Sequence, residues 1–304
     1  MGEIVSNGSR LTEKQHYIPQ VYLRGFSPEY SRKRGNYSKS KYTIYCHNIN
    51  GKKQCLQAVP IKSICYKKNL YEITGNQEEV LFPNYLERFF SAIENMFGNY
   101  RDKLERKAFL ESNYYTRCFL TREEKAFWVT FIIIQILRLP QTLNIAEAVS
   151  RKTLGEEINV KQAKNIARIL CLPFFRELEE ESKELFVFNK LFEPMKTMSF
   201  GVGVDREKKV ITSDKPVYIL AEKFPCDEYE EIIFPISSEL CLFLFGGEYK
   251  EHYHKNFLFS INDEMQEVIF KAMVSSTFGN IFSNHCLDKI ERRYIKEVMR
   301  GGEM

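Results

Sequence analysis

The stretch TREEKAFWVTFIIIQILRLP, Thr121 to Pro140, constrains the fold of this chain more than any other. Thr121 and Glu124 have the spacing of a capping box, which satisfies two orphan amides at a helix start. Pro140 marks the helix end, because the residue before a proline resists the helical region. Between them Phe127, Trp128, Phe131, Ile132, Ile134 and Ile136 leave almost no polar face. A helix apolar all round belongs in a core. The run Ala126–Leu139 is too short, and too closely flanked by charge, to be a membrane span. Gln135 and Arg138 interrupt it in its last turns. A buried amide or guanidinium is costly without a partner, so these two residues mark a polar site against the core.

Around this helix the pattern predicts an α+β fold, mostly helical, with an N-terminal β-hairpin and a later antiparallel sheet. YTIYCHN and KQCLQAV flank Asn50-Gly51, a hairpin signal within a region spanning 14–74. From 83 to 198 the chain reads as helical. Pro83 suits a first turn, and Tyr85, Leu86, Phe89, Phe90, Ile93, Met96 and Phe97 recur at helical spacing. Two further helices are expected after the central one, near Val160–Cys171 and Pro173–Met195, the second with a solvated acidic face from Glu177 to Glu184. Residues 199–247 change to strand-like segments, FGVGV, KVITS, VYILA, IIFPI and CLFLF, with turns at Asp205–Lys208 and Gly246–Gly247. Helices return over 261–300, near Asp263–Ser276 with Asn262 as cap and near Cys286–Met299. No Pro/Gly/Ser-rich linker divides the 304 residues, so 1–304 is read as a single domain.

A net charge of +4 argues neither for nor against a nucleic-acid partner. The start carries no apolar segment after basic residues, so no signal peptide and a cytoplasmic location are expected. Eight cysteines without a CxxC pair then read as reduced, mostly buried thiols. Cys46, His47, Cys55 and Cys65 cluster, but lack the close ligand pairs of a structural zinc site.

Four features carry candidate chemistry. His16, Gln20 and Arg24 share one possible helical turn after Lys14. YSRKRGNYSKSK, Tyr30 to Lys41, places Arg32, Lys33 and Arg34 in a loop with no acid, which is either a phosphate-binding loop or solvated surface. Glu87 and Glu94 lie on one stripe of their helix, either as an acid–base or metal-binding pair or as a solvated flank. Asp214, in Thr212-Ser213-Asp214-Lys215-Pro216, sits at a strand end, as a catalytic corner or as turn chemistry.

HYIPQVYLRGF, IIIQILRLP, ITSDKPV and FPISSEL occur in that order. Together they resemble the bacterial family numbered 4238 among the domains of unknown function, with its HxxPQxYLxxF, QxxRxP, TSDxPV and FPxS motifs. The likeness runs from about His16 to Asn284, with Leu139 standing where that family commonly has threonine. It implies a shared fold and a set of polar positions, His16, Gln20, Gln135, Arg138 and Asp214, with no established reaction attached.

Buried polar groups need partners, so the simplest expectation is that these five meet. His16 would then act as general base, Asp214 would orient it or hold a metal, and Arg138 would stabilise phosphate charge. Gln20 and Gln135 would position substrate, with Arg24, Arg32, Lys33 and Arg34 binding it. The resulting expectation is a phosphodiester hydrolase, a nuclease of a bacterial defence or toxin-like system acting on RNA or DNA. A divalent metal is compatible with that chemistry, its presence left open. The HxxP opening is similar to the start of HNH-type nuclease motifs, but the Asn and His those motifs need do not follow. The alternative is a binding or sensor module, in which the cluster is a structural network or a small-anion site.

Overall fold

A computed structural model describes residues 11–32, 41–50, 58–75, 77, 79–111, 119–154, 158–170, 187–221, 229–247 and 256–301. In chain order, the first elements are strand β1 (Lys14–His16), helix α1 (Gln20–Leu23), helix α2 (Pro28–Arg32) and strands β2 (Thr43–Asn48), β3 (Ala58–Pro60) and β4 (Tyr66–Lys68). Helices α3 (Tyr85–Leu110), α4 (Arg122–Leu137), α5 (Pro140–Leu154), α6 (Val160–Leu170) and α7 (Val187–Thr197) form the middle. Strands β5 (Ser199–Val204), β6 (Thr212–Ser213), β7 (Tyr218–Leu220), β8 (Glu231–Ser237), β9 (Leu240–Phe245) and β10 (Asn256–Ser260) follow. Helix α8 (Asp263–Ser276), strand β11 (Asn280–Ser283) and helix α9 (Lys289–Gly301) complete the order. The fold is α+β.

Helix α4 is the buried helix its sequence predicts. Thr121 Oγ1 accepts the Glu124 amide, and the Glu124 side chain accepts the Thr121 amide, closing the capping box. Phe131, Ile132 and Ile133 are fully buried, and Phe131 meets Phe97 of α3 and Phe234 of β8. One apolar cluster joins α1, α3, α4 and α7 to the strands.

Pro140 does not end the helical region. It is the first residue of α5, an N1 position where its missing amide costs nothing. The α5 helix was not expected. The chain bends by 71° between α4 and α5, and Arg138 occupies that corner as the last cap of α4. No single described helix is long and apolar enough to cross a membrane.

Sheet membership also departs from expectation. β2 and β3 form the anticipated hairpin, pairing Thr43 with Pro60 and Tyr45 with Ala58, though residues 51–57 lie outside the described set. The hairpin joins a four-stranded sheet in the order β3-β2-β11-β6. Thr212-Ser213 therefore belongs with the hairpin and not with the larger sheet, because β11 offers it an antiparallel edge. The larger sheet has the order β10-β5-β9-β8-β7, antiparallel except for the parallel pair β10–β5. Strands β5 and β9 are buried along their whole length, so both faces of this sheet are covered.

Three of the segments singled out in the sequence meet at Tyr22. Its hydroxyl donates to the Pro235 carbonyl at 2.8 Å and lies 2.7 Å from Thr212 Oγ1. Its ring stacks on Phe234 at 5.5 Å. Beside it a Cβ at Gly25 would sit 3.0 Å from the Ile236 carbonyl oxygen, a close approach that glycine accommodates without any shift.

Candidate functional site

Strand β1, helix α1, helix α3 and the α4–α5 corner enclose an open cleft of about 960 Å³. Lys14 and His16 reach it from β1, Gln20 from α1, and Arg24 from the short 3-10 turn that follows. Glu87 and Glu94 enter from α3, Lys62 from the turn before β4, and Arg138 from the corner. The long α3 supplies the floor because one stripe of this 26-residue helix is polar while the other packs on α4.

Arg138 ties the wall together. It is 2% exposed. Its Nη1 pairs with Glu94 Oε1 at 2.9 Å, and its Nη2 donates to the His16 carbonyl at 2.5 Å. The guanidinium carbon lies 4.5 Å from the Phe90 ring centroid, and its own carbonyl accepts the Tyr71 hydroxyl at 2.8 Å. One hydrogen on each Nη is thus engaged within the protein, and Arg138 joins β1, α3 and α4 while still lining the cleft.

His16 and Glu87 are tuned in opposite directions. Burial lowers the His16 pKa to about 4, and the positive charges of Arg138 and Lys14 push the same way, against the Lys62 backbone facing the ring. Its Nδ1 lies 3.5 Å from Gln20 Nε2, and its Nε2 has no hydrogen bond of good geometry within the protein. The Glu87 carboxyl is raised to about 7, first by burial and then by the charges of Glu94 and Glu72, against the pull of Arg138. Glu87 Oε1 is buried without a hydrogen-bonding partner. At neutral pH His16 is therefore an unprotonated base, and Glu87 is about half in its acid form.

Three cations line the cleft without a carboxylate partner among the described residues: Lys14, Arg24 and Lys62. The Arg24 guanidinium carbon lies 5.6 Å from the Tyr42 ring centroid. Lys14 lies 4.8 Å from the Tyr66 ring centroid. Arg101 is committed elsewhere, to the Val21 carbonyl at 2.7 Å and to Asp102 at 3.3 Å.

Two of the expected residues do not line the cleft. Asp214 is 3% exposed and holds the loop before β11. Its Oδ1 accepts Thr277 Oγ1 at 2.6 Å and the Phe278 amide at 2.8 Å. Its Oδ2 accepts the Asn280 amide at 3.1 Å and Asn280 Nδ2 at 3.0 Å. A carboxylate with four donors in place has no capacity left to orient His16, so Asp214 belongs to the turn chemistry its sequence also allowed. Gln135 is fully buried, and its amide has no partner among the described residues.

Of the basic loop, Arg32 ends α2, while Lys33 and Arg34 lie outside the described residues, as does the acidic segment Glu177 to Glu184. Among the described residues no three His, Cys, Asp or Glu side chains are grouped to hold a metal ion. Cys46, Cys65, Cys241 and Cys286 are free thiols.

The family model described as "Protein of unknown function (DUF4238)" matches residues 14–286. The chain belongs to this family. Within DUF4238 the match takes in every cleft residue named above. Comparisons with curated proteins and with solved structures returned no match. The segments singled out in the sequence divide between two places. His16, Gln20 and Arg138 line the cleft, while Tyr22, Thr212, Asp214 and Pro235 build the framework behind it. Glu87 stood in the sequence only as half of a carboxylate stripe, and Lys62 had no sequence signal, being one lysine in a short turn.

Proposed function

We propose that the cleft hydrolyses phosphodiesters by general acid–base catalysis. The observation that carries this reading is the pair His16 and Glu87. Both side chains line one cleft, and their pKa values are pushed apart. Such a divergence is the pattern that assigns a base and an acid at one pH. The His16 imidazole takes a proton from water, whose oxygen forms the new bond to phosphorus. The phosphorus–oxygen bond to the leaving group breaks, and the Glu87 carboxyl donates its proton to the departing alkoxide. Arg24, Lys14 and Lys62 face the phosphate charge. Arg138 holds His16 and Glu94 in place. A nuclease of this kind suits a bacterial defence or toxin-like system acting inside the cell.

The test is a cleavage assay with labelled single- and double-stranded RNA and DNA, run with magnesium, with manganese and with chelator. Glu87→Gln and His16→Ala, each checked as folded by circular dichroism, should lose cleavage that the wild type shows. The chelator lane reports whether a metal takes part. No cleavage by the wild type in any lane removes the hydrolase reading. The engagement of Arg138 in two internal contacts favours a second reading, a non-catalytic module that uses the same three cations to hold an anion. Binding of labelled nucleic acid without turnover supports that one.

A further inference from the structure

Resting on the phosphodiester reading, we propose that the occupant of the cleft is a stacked single strand of nucleic acid lying along α3. The cleft follows that helix from Glu87 to Asp102. At 1.5 Å per residue this is a trough about 22 Å long. The major groove of a duplex alone is about 12 Å wide, so a whole duplex does not lie down between β1 and α3. The trough is too long for one mononucleotide. A stacked strand carries one charge per about 3.4 Å, so about six nucleotides span it.

The charges along the trough fit a polyanion that runs its length. Lys14 and Lys62 stand by His16, and Arg24 stands farther along, near enough to Glu94 and Arg101 to feel both charges. Arg24, beside the Tyr42 ring, offers a guanidinium for a base to stack on or a fork for a phosphate, as guanidinium groups do in single-strand recognition. An extended acidic peptide matches the charge, but gives the His16 and Glu87 pair no phosphorus to act on.

The test is fluorescence anisotropy with labelled oligonucleotides of two to twenty nucleotides, a blunt hairpin duplex and poly-glutamate. Wild type, Glu87→Gln, Arg24→Ala and Lys62→Ala are compared, the last being an exposed position that leaves the fold undisturbed. Affinity should rise with length up to about six nucleotides and then level off. The duplex should bind at least tenfold more weakly than the six-nucleotide strand. Each cation removed should reduce the slope of log affinity against log salt by about 0.7. A dinucleotide bound as tightly as a hexamer, a duplex bound equally well, or poly-glutamate bound as tightly as nucleic acid overturns the strand. Hydrolysis of bis(p-nitrophenyl) phosphate is followed in parallel. If it persists while length dependence is absent, the strand fails and the hydrolase stands. If the strand binds but nothing is hydrolysed, the reverse holds.

Discussion

The Asp214 corner and the His16–Glu87 cleft are both polar constellations set against the same core, and they end in opposite electrostatic states. At Asp214 four donors converge on two oxygens. Nothing there is left to react, and the charge is spent on fixing the loop before β11. Beside the cleft Glu87 Oε1 and His16 Nε2 lack good partners, and burial holds both groups away from their charged forms. A buried polar atom without a partner costs stability. Two under-satisfied titratable side chains beside a cleft are the candidates for chemistry, whereas a saturated carboxylate in a loop is architecture. Residue type alone did not distinguish the two.

Four substitutions sharpen or break this contrast. The largest effect should come from Glu87→Gln, which keeps shape and removes the proton. Loss of a general acid costs about 10²–10⁴-fold in rate, read as kcat/KM on labelled oligonucleotide with an unchanged melting curve. Arg138→Ala comes next. It strands Glu94 and frees the His16 carbonyl, and removing one partner of a buried pair costs about 3–5 kcal/mol by urea unfolding. Asp214→Ala should cost about 3 kcal/mol, because it leaves the Phe278 and Asn280 amides unmatched. Its activity per folded molecule should stay within a factor of a few of wild type. An Asp214 variant that folds normally but is inactive would break the contrast outright. The smallest effect is that of Tyr22→Phe, about 1 kcal/mol for the lost bond to Pro235, again with activity kept.

Helix α4 was fully legible, since a capping box and an unbroken apolar run are local signals that depend on no distant partner. Helix α5 was missed because Pro140 suits both the stop of one helix and the first turn of the next, and only the 71° corner settles which. Pairing was less legible still. Alternation marks a strand but does not name its neighbour, so β2 meeting β11, and Thr212-Ser213 joining that sheet, could not be read. At the site, His16, Gln20 and Arg24 were readable as a group, but not as one helical turn, since His16 ends a strand, Gln20 opens α1 and Arg24 opens the 3-10 turn; Arg138 was readable as a polar residue in an apolar run. That Arg138 turns toward Glu94, and that Glu87 is the carboxylate left desolvated, depends on how α3 is rotated against α4. Asp214 was assigned to the cluster because its strand-end context is shared by catalytic and turn-forming aspartates alike.

The most direct test of the acid–base pair is the pH dependence of kcat/KM on a single-stranded oligonucleotide, from pH 3 to 9. His16 must be unprotonated, so activity should rise through the folded-state value of about 4. Glu87 must carry its proton, so activity should fall as pH rises through about 7. The predicted result is a bell between these limits, with the alkaline limb absent from the residual activity of Glu87→Gln. A profile still rising above pH 8, or an alkaline limb that survives in Glu87→Gln, would contradict the assignment of Glu87 as the acid.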